Sequence, residues 1–501
     1  MPSSWEDSAV LPLRIADYVR DLRALYAKHG LVGAMYGHFG EGCIHSRISF
    51  DLRTAVGVRD YRAFMEEAAD LVTSYGGTLS GEHGDGQQRA ELLERQYGPT
   101  LVQATREFKL IWDPDWKMNP GKVVDPYRLD RNLRLGTNYN PPRPEVEFAY
   151  SDDGGDFAHA ALRCVGVGKC RVPDATQTMC PSYRVTREEK HSTRGRARLL
   201  FEMLQGEVVT DGWQSKEVAE ALDLCLACKG CTNDCPVNVD IPTYKAEFLH
   251  HHYRSLRRWR PRYAYAFGFI DQAARLATRA PELVNLATQT IGVRRLVKLA
   301  GGIDRKRRLP RFAPQSLQRW YAERGGTRNP HWPAAALFKD ELRGMLPHDD
   351  DAARLEQNSY HFAEFFETFD VKVPRLDGEA LLWGHCHHRA TGGIDPEQKL
   401  LERMGVSAEP LSGGCCGLAG SWGFEKGKYD ISMQCGEEAL LPAVRDADPR
   451  KLVVANGFSC KTQIAQARTG RKALHIAEVI ALARARGRKG ADTKRPETGP
   501  G

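Results

Sequence analysis

The residues best able to do chemistry are cysteines, and they come in groups. The run CLACKGCTNDCP sets Cys225, Cys228, Cys231 and Cys235 at x2, x2 and x3 spacing, with Pro236 directly after the last. Thiolates at i, i+3 and i+6 let one tight loop wrap three iron corners of a cubane, and a Cys-x2-Cys-x2-Cys-x3-Cys-Pro run is the spacing used for [4Fe–4S] clusters. Gly230 permits close backbone approach, and Pro236 turns the chain away after the last ligand. A zinc loop is the alternative, but zinc sites usually use two separated Cys pairs.

An earlier group follows the same rule imperfectly. CVGVGKC and MCP give Cys164, Cys170 and Cys180, with Val167 where the middle cysteine would stand. The paired Cys-Pro steps at 180–181 and 235–236 suggest an internal duplication. In two-cluster ferredoxins the fourth cysteine ligates the other cluster. By that exchange Cys180 completes the cube of Cys225, Cys228 and Cys231. Cys164, Cys170 and Cys235 are then left for a second cluster, one thiolate short. That cluster is [3Fe–4S], [4Fe–4S] with a non-Cys ligand, or absent, the cysteines then being small buried hydrophobes. Downstream, Ser192 or Thr193 can cap a helix whose Arg194, Arg196 and Arg198 either offset cluster charge or form a solvated face.

A third set lies in the last quarter. GHCHHRA, GGCCGLAGSWG and NGFSC give Cys386, then Cys415 and Cys416 after a 28-residue gap, then Cys460. His385, His387 and His388 are candidate ligands or proton carriers, a polar loop being the favoured reading for His388. Cys435 lies in a helix-like stretch and reads as core.

Near the N-terminus the candidates are histidines. YGHFGEGCIH carries His38 and His45 across a Gly-rich turn, and LSGEHGDG carries Glu82 and His83. Two imidazoles and one carboxylate make a three-ligand site with room for substrate, suited to a catalytic divalent metal, possible zinc included. A neighbouring histidine can then serve as base.

These groups need elements to hold them. The chain has 501 residues, several domains' worth at roughly 100–200 residues each. Its 42% hydrophobic and 27% charged composition is that of a globular protein, and the net charge of +7 argues for no nucleic-acid partner. No window offers 18 uncharged apolar residues, and MPSSWEDSAVLPLRIADYVRD lacks a signal core, so a cytoplasmic protein is expected. Thirteen cysteines there imply metal or redox chemistry in place of disulfides. ADYVRDLRALYAKHG and YRAFMEEAADLVTSYGG have helical spacing, and IHSRISFDL alternates like a strand. EALLWGH and KLVVANGF read as strands, and KALHIAEVIALARAR as a helix. The region 251–350 mixes Arg with Trp, Tyr and Phe. A helical linker with a solvated face is the first reading, and contact with anionic lipid headgroups at the inner face of a membrane the second.

GHFGEGCIH resembles the GHxGDGNxH motif of the C-terminal domain of FAD-linked oxidases. GEHGDG resembles their (S/A)xEHGxG motif, and IWDPDWKMNPGKVV their closing FDPxxxxNPGK segment. Over roughly residues 6–485 the chain is similar to the C-terminal half of fused D-2-hydroxyglutarate or D-lactate dehydrogenase-like proteins, which carry flavin, ferredoxin-like and cysteine-rich CCG modules in this order. The resemblance implies that His38, His45 and Glu82 hold the metal, that His83 is the base, and that Asn119 lies near FAD. Glu41 and Cys43 replace the family's Asp and Asn, which puts the substrate contact usually made by that Asn in question. It further implies that Cys386, Cys415, Cys416 and Cys460 form the CCG site, which binds a cluster or zinc or builds a quinone- or thiol-reactive centre. Such proteins begin with a flavin-binding domain of the PCMH type, which is not recognised in this sequence, so the chain is expected to be a fragment, a truncated gene product or one subunit of a split enzyme.

The expected architecture is multidomain α+β. An α+β FAD-oxidase C-terminal domain occupies 1–127, a linker 128–155 and a mostly helical ferredoxin-like 4Fe-4S domain 156–250. A basic helical connector spans 251–350, an α/β CCG domain 351–485 and a disordered tail 486–501. The expected activity is oxidation of a D-2-hydroxyacid, with electrons passing through 4Fe-4S clusters to a quinone or other acceptor. The alternative is an electron-transfer subunit that needs a separate flavin-binding partner.

Overall fold

The computed structural model describes residues 5–133, 135–137, 140–254, 259–315, 319, 323 and 337–492. The chain divides into two compact units, Met1–Pro141 and Pro142–Gly501.

The first unit is α+β. Strands β1 (Ser8–Ala9), β2 (Gly33–Tyr36) and β3 (Cys43–Ile48) form an antiparallel sheet in the order β1-β3-β2. Helices Ile15–Lys28 and Ala55–Ser74 pack together over it. Thr54 starts the second helix by accepting the Gly57 N–H at 3.0 Å, and its buried face carries Tyr61, Phe64, Met65, Ala68 and Val72 at three- and four-residue steps. That stripe joins Trp5, Tyr18, Leu22, Ile44 and Ile48 in one core. Leu129 is in the same core, and its N–H donates to Glu91 at 2.8 Å. The expected linker at 128–155 is therefore not a free connector. Leu129 anchors its start in the first unit, while Tyr150 is buried in the second unit's core and Glu247 accepts the Glu147 N–H at 3.1 Å.

The second unit has two parts in contact. Helices Phe157–Leu162, Thr193–Gln205, Lys216–Asp223 and Ile241–His252 surround a core that includes Cys170, Cys180, Cys225 and Cys231. The remainder is a parallel sheet of β4 (Gly378–Trp383), β5 (Val406–Pro410), β6 (Leu452–Ala455) and β7 (Ala473–Leu474), ordered β5-β4-β6-β7. The chain leaves β4 for β5 on one side and returns to β6 on the other, so β4 is the strand where the winding reverses. The crevice beyond the carboxyl ends of strands at such a point is the usual ligand site of an open α/β sheet. Ala473–Leu474 was read as part of a helix, but it forms β7, and the helix starts at Ile476 and runs to Asp492. It thus occupies the start of the expected tail, while residues 493–501 lie outside the described residues. The connector is also less separate than expected. Ile303 sits in the core of the sheet part, and the fully buried Arg307 donates to the Gly423 carbonyl at 2.6 Å and to Gln463 at 2.8 Å.

The two parts meet along the cysteine loops. Gly414 N–H donates to the Gln177 carbonyl at 2.9 Å, the Trp422 indole donates to the Asp223 carbonyl at 2.8 Å, and Arg184 pairs with Glu438 at 2.7 Å. Gly413 has φ +66°, and a Cβ there would lie 1.7 Å from the Ala175 carbonyl oxygen. Gly420 has a similar φ of +62° but open space around it. Gly413→Ala should therefore lower the thermal unfolding midpoint clearly more than Gly420→Ala, since both bear the left-handed strain but only the first must push the Ala175 loop away. Scanning calorimetry of the two variants checks this.

Candidate functional site

His38 and His45 come from the two sides of the β2–β3 turn. The Glu41 and Cys43 N–H groups both donate to the His38 carbonyl, at 2.9 and 3.1 Å, which curls the turn back on itself. A Cβ at Gly42, with φ +78°, would lie 1.9 Å from the Val10 carbonyl, so only glycine fits there. Glu82 and His83 arrive on a different segment, laid along β1. Thr78 exchanges two backbone hydrogen bonds with Ala9, and the Gly81 N–H donates to the Asp7 carbonyl at 2.7 Å.

These segments converge on one oxygen. Glu82 Oε1 lies 3.2 Å from His45 Nε2, 3.4 Å from His38 Nε2 and 3.6 Å from His83 Nε2. His45 Nδ1 lies 2.8 Å from the Glu6 carbonyl, which can only accept. That nitrogen therefore carries the proton in a neutral ring, and Nε2 presents a bare lone pair to a carboxylate. A cation between them removes this clash of acceptors, and the carbonyl behind the ring is the support that metal-bound histidines usually have. The N/O donor set suits a divalent metal of borderline softness. His83 stacks on His45, rings parallel within 6° and centroids 4.7 Å apart. Its Nδ1 faces the Glu6 carboxylate at 3.9 Å. His45 is nearly buried, whereas His38, Glu82 and His83 open to solvent.

Asp7 organises this site and was not singled out from the sequence, since one acid in an N-terminal stretch carries no motif. It is fully buried, and accepts from the Ser80 hydroxyl at 2.6 Å and from the N–H groups of His83 and Glu82 at 2.7 and 3.0 Å. Burial pushes its carboxyl up, but the bonds from Ser80, His83, Glu82 and Cys43 outweigh this and bring it to about 2. Cys43, at the position of the family's Asn, donates to Asp7 at 3.3 Å. Burial and the Asp7 charge push its thiol up to about 12, so it stays protonated. Asn119 is exposed, in left-handed backbone at φ +48°, after a turn in which Asp113 accepts the N–H groups of Lys117 and Met118.

In the second unit the loop Cys225–Cys231 is built for inward thiols. Ala227 and Lys229, on either side of Cys228, both have left-handed backbone, at φ +51° and +60°. Such conformations persist only where the surroundings impose them. A Cβ at Gly230 would lie 2.9 Å from Thr178 Cγ2. The Gly230 and Ile241 N–H groups face Cys228 and Cys231, as donors to thiolate sulfur. Lys229 is buried between Asp240 and Asp340, at 2.9 and 3.0 Å, so its charge is matched.

The first group gathers around the start of one helix. Cys180 is hydrogen-bonded to Cys170, which lowers the Cys170 thiol to about 6. The helix Thr193–Gln205, capped by Ser192, directs the Thr193 and Arg194 N–H groups at Cys180 and Cys170 sulfur, at 2.9 and 3.4 Å. A helix N-terminus thus serves both sulfurs, a pairing that linear spacing does not reveal. Cys164 lies within electrostatic reach of Arg194, as does Cys170. Arg196 is buried and bonded to the Ala221 carbonyl, while Arg198 is exposed beside Glu202, so the three arginines do not form one face.

Cys386, Cys415, Cys416 and Cys460 follow β4, β5 and β6, at the carboxyl ends of three adjacent parallel strands. All four are buried, Cys386 and Cys415 sulfurs stand 3.4 Å apart, and Cys416 is hydrogen-bonded to both Cys415 and Cys460. None forms a disulfide. Four soft donors gathered this closely fit a cluster or zinc. Cys228 packs against Cys386, Cys415 and the buried Cys435, so the loop 225–231 faces this centre. His388 is not in a polar loop. It is buried on the helix Cys386–Thr391, 3.4 Å from Glu397, with its ring centroid 3.9 Å from that of His361.

Residues 2–123 match the family described as FAD linked oxidases, C-terminal domain, and residues 160–239 match the 4Fe-4S dicluster domain. The chain carries both domains. It is 30% identical to a D-2-hydroxyglutarate dehydrogenase of Haemophilus influenzae, over 75% of this chain and 39% of that protein. It is 26% identical to that of Pseudomonas putida, over 95% of this chain and 58% of that protein. A D-lactate dehydrogenase of Archaeoglobus fulgidus is 36% identical over 24% of this chain and 26% of its own length. The chain spans roughly half the length of the first two relatives, between 39% and 58%. The cysteine groups at 164–180 and 225–235 thus lie in a 4Fe-4S domain, and the histidine site in an FAD-linked one.

Asp7 links the histidine site to stability. Its carboxyl is lowered in the folded chain from an ordinary value near 3.8. Its contribution is complete above about pH 4 and is lost as pH falls toward 2. Asp7→Asn should cost about 2 kcal/mol at pH 7 and leave acid unfolding of the first unit less steep, as read by fluorescence-monitored denaturation of the full chain at several pH values.

Proposed function

We propose that this chain supplies the substrate-side metal site and the electron relay of a D-2-hydroxyacid dehydrogenase whose FAD is held by a flavin-binding domain or subunit. The observation that carries this reading is the convergence of His38, His45 and His83 on Glu82 Oε1 within 3.2–3.6 Å. D-2-hydroxyglutarate is the first substrate to try, because the relatives that cover most of the chain are named for it. D-lactate is the second.

His38, His45 and Glu82 hold the cation against which the hydroxyl and carboxylate of the 2-hydroxyacid seat. His83, free to tilt at the open rim, takes the hydroxyl proton, and Glu6 behind it steadies the imidazolium. Asp7 keeps Glu82 and His83 in place by holding their backbone. A divalent metal held by these residues would acidify the hydroxyl, and FAD with 4Fe-4S clusters would supply the acceptor for the hydride and for its two electrons, passed on singly. Asn119 is assigned to the flavin side. In the second unit, Cys225, Cys228 and Cys231 hold the cluster that faces the CCG thiols, because Cys228 packs beside Cys386. Cys180 completes that cluster by exchange of the fourth cysteine, and Cys164, Cys170 and Cys235 are left for a second one. A quinone is the acceptor we assign, taken at a membrane surface.

His83→Asn should abolish flavin reduction by D-2-hydroxyglutarate in the assembled enzyme and leave the iron–sulfur spectrum unchanged. Reduction at the normal rate would remove His83 from its role. Cys228→Ser should let the flavin reduce while acceptor turnover falls at least tenfold, since each tenfold loss needs only about 1.4 kcal/mol on the limiting barrier. Stopped-flow absorbance separates the two steps.

A further inference from the structure

Helix Ile291–Ala300 is turned inside out. Its one ammonium, Lys298, is 5% exposed and donates to the backbone carbonyls of Arg305 and Arg307. Its aliphatic residues face water instead, with Ile291 at 65%, Leu296 at 66% and Leu299 at 62% exposure. The helix Pro281–Gln289 packs beside it and does the same, with Leu283 at 68% and Leu286 at 67%. Leu283 and Leu286, like Leu296 and Leu299, are three residues apart and so share a helix face. Singly exposed leucines are ordinary, but two consecutive helices that each leave a pair of leucines in water mark an interaction surface.

The charge around this face selects the partner. Residues 259–312 hold twelve lysines and arginines against three acids. Arg275, Arg279 and Arg295, close in sequence to the leucines, are exposed, and Arg294 is half-buried. Exposed Trp259 and Phe269 lie in the same region of the chain. Apolar faces rimmed by arginine and aromatic side chains fit the boundary between acyl chains and anionic headgroups. No helix among the described residues is long and apolar enough to cross a membrane. The fit is therefore to helices lying in the surface.

We propose that the paired helices 281–289 and 291–300 dock this chain on an anionic lipid bilayer, with the leucines inserted and the arginines on headgroup phosphates. This rests on the quinone-facing reading above and names the surface that would serve it.

Sedimentation of the full, cluster-loaded chain with vesicles tests this. Vesicles of phosphatidylcholine with phosphatidylglycerol should carry the protein down, and pure phosphatidylcholine should do so poorly. Leu296→Ser/Leu299→Ser should weaken the partition roughly tenfold or more, as expected for two buried leucines removed. Arg294→Gln/Arg295→Gln should weaken it only on the anionic vesicles and flatten its salt dependence. Unchanged iron content and visible spectrum verify that each variant is folded. Wild-type protein left in the supernatant would overturn the proposal, and so would full binding by the leucine variant. A dimer that the leucine variant splits, with no vesicle binding, would assign the face to a second copy and overturn it as well. Binding does not depend on turnover. A brown protein that fails to sediment therefore sinks this proposal alone, whereas one that sediments without iron sinks the redox reading alone.

Discussion

Ionised sulfur is stable inside a protein only when a cation shares its charge. Burial pushes the Cys228, Cys231 and Cys435 thiols up, as it does any thiol taken from water. Yet the chain curls Ala227 and Lys229 into left-handed backbone on either side of Cys228, and places peptide N–H donors against the Cys228 and Cys231 sulfurs. Iron–sulfur coordination resolves that conflict. As ligands to iron the thiolates would share their charge with the metal, and the N–H donors would tune the cluster. This loop packs on the parallel-sheet part, with Cys228 beside Cys386, and the Asp223, Gln177 and Arg184 contacts join the same two parts.

A second constraint governs the first unit. Three imidazole nitrogens gather within 3.6 Å of one carboxylate oxygen, and the Glu6 carbonyl occupies the Nδ1 side of His45, which leaves Nε2 toward Glu82. The site is arranged for positive charge, and Asp7 makes the arrangement rigid through the backbone of the residues that use it. Cys43, which stands where the resembling motif has Asn, fits this division of labour. Its thiol turns to Asp7, so it supports the loop from behind.

Much of this was legible in the sequence where spacing and function coincide. The ferredoxin-type run, the two His motifs and the strand patterns of β3, β4 and β6 were readable because each is local. What was not readable depends on tertiary contact. Asp7 carries no motif, yet holds the Glu82 loop across 75 residues of chain. The partnership of Cys170 with Cys180 is set by where the Ser192-capped helix points, which no spacing rule encodes. His388 looked like part of a polar loop, but its pairing with Glu397 depends on strand order. The region 128–155 reads as linker by composition, and Leu129 and Tyr150 are too isolated to signal that they are core residues.

The central claim is that the thiolates of the 225–231 loop hold iron. Protein prepared without oxygen, assayed for iron and acid-labile sulfide and then reduced with dithionite, measures this directly. The account expects a brown protein with at least four irons and four sulfides per chain, as one cubane requires, and a paramagnetic signal that appears on reduction. A colourless protein that contains zinc or no metal, and gives no signal, would contradict it.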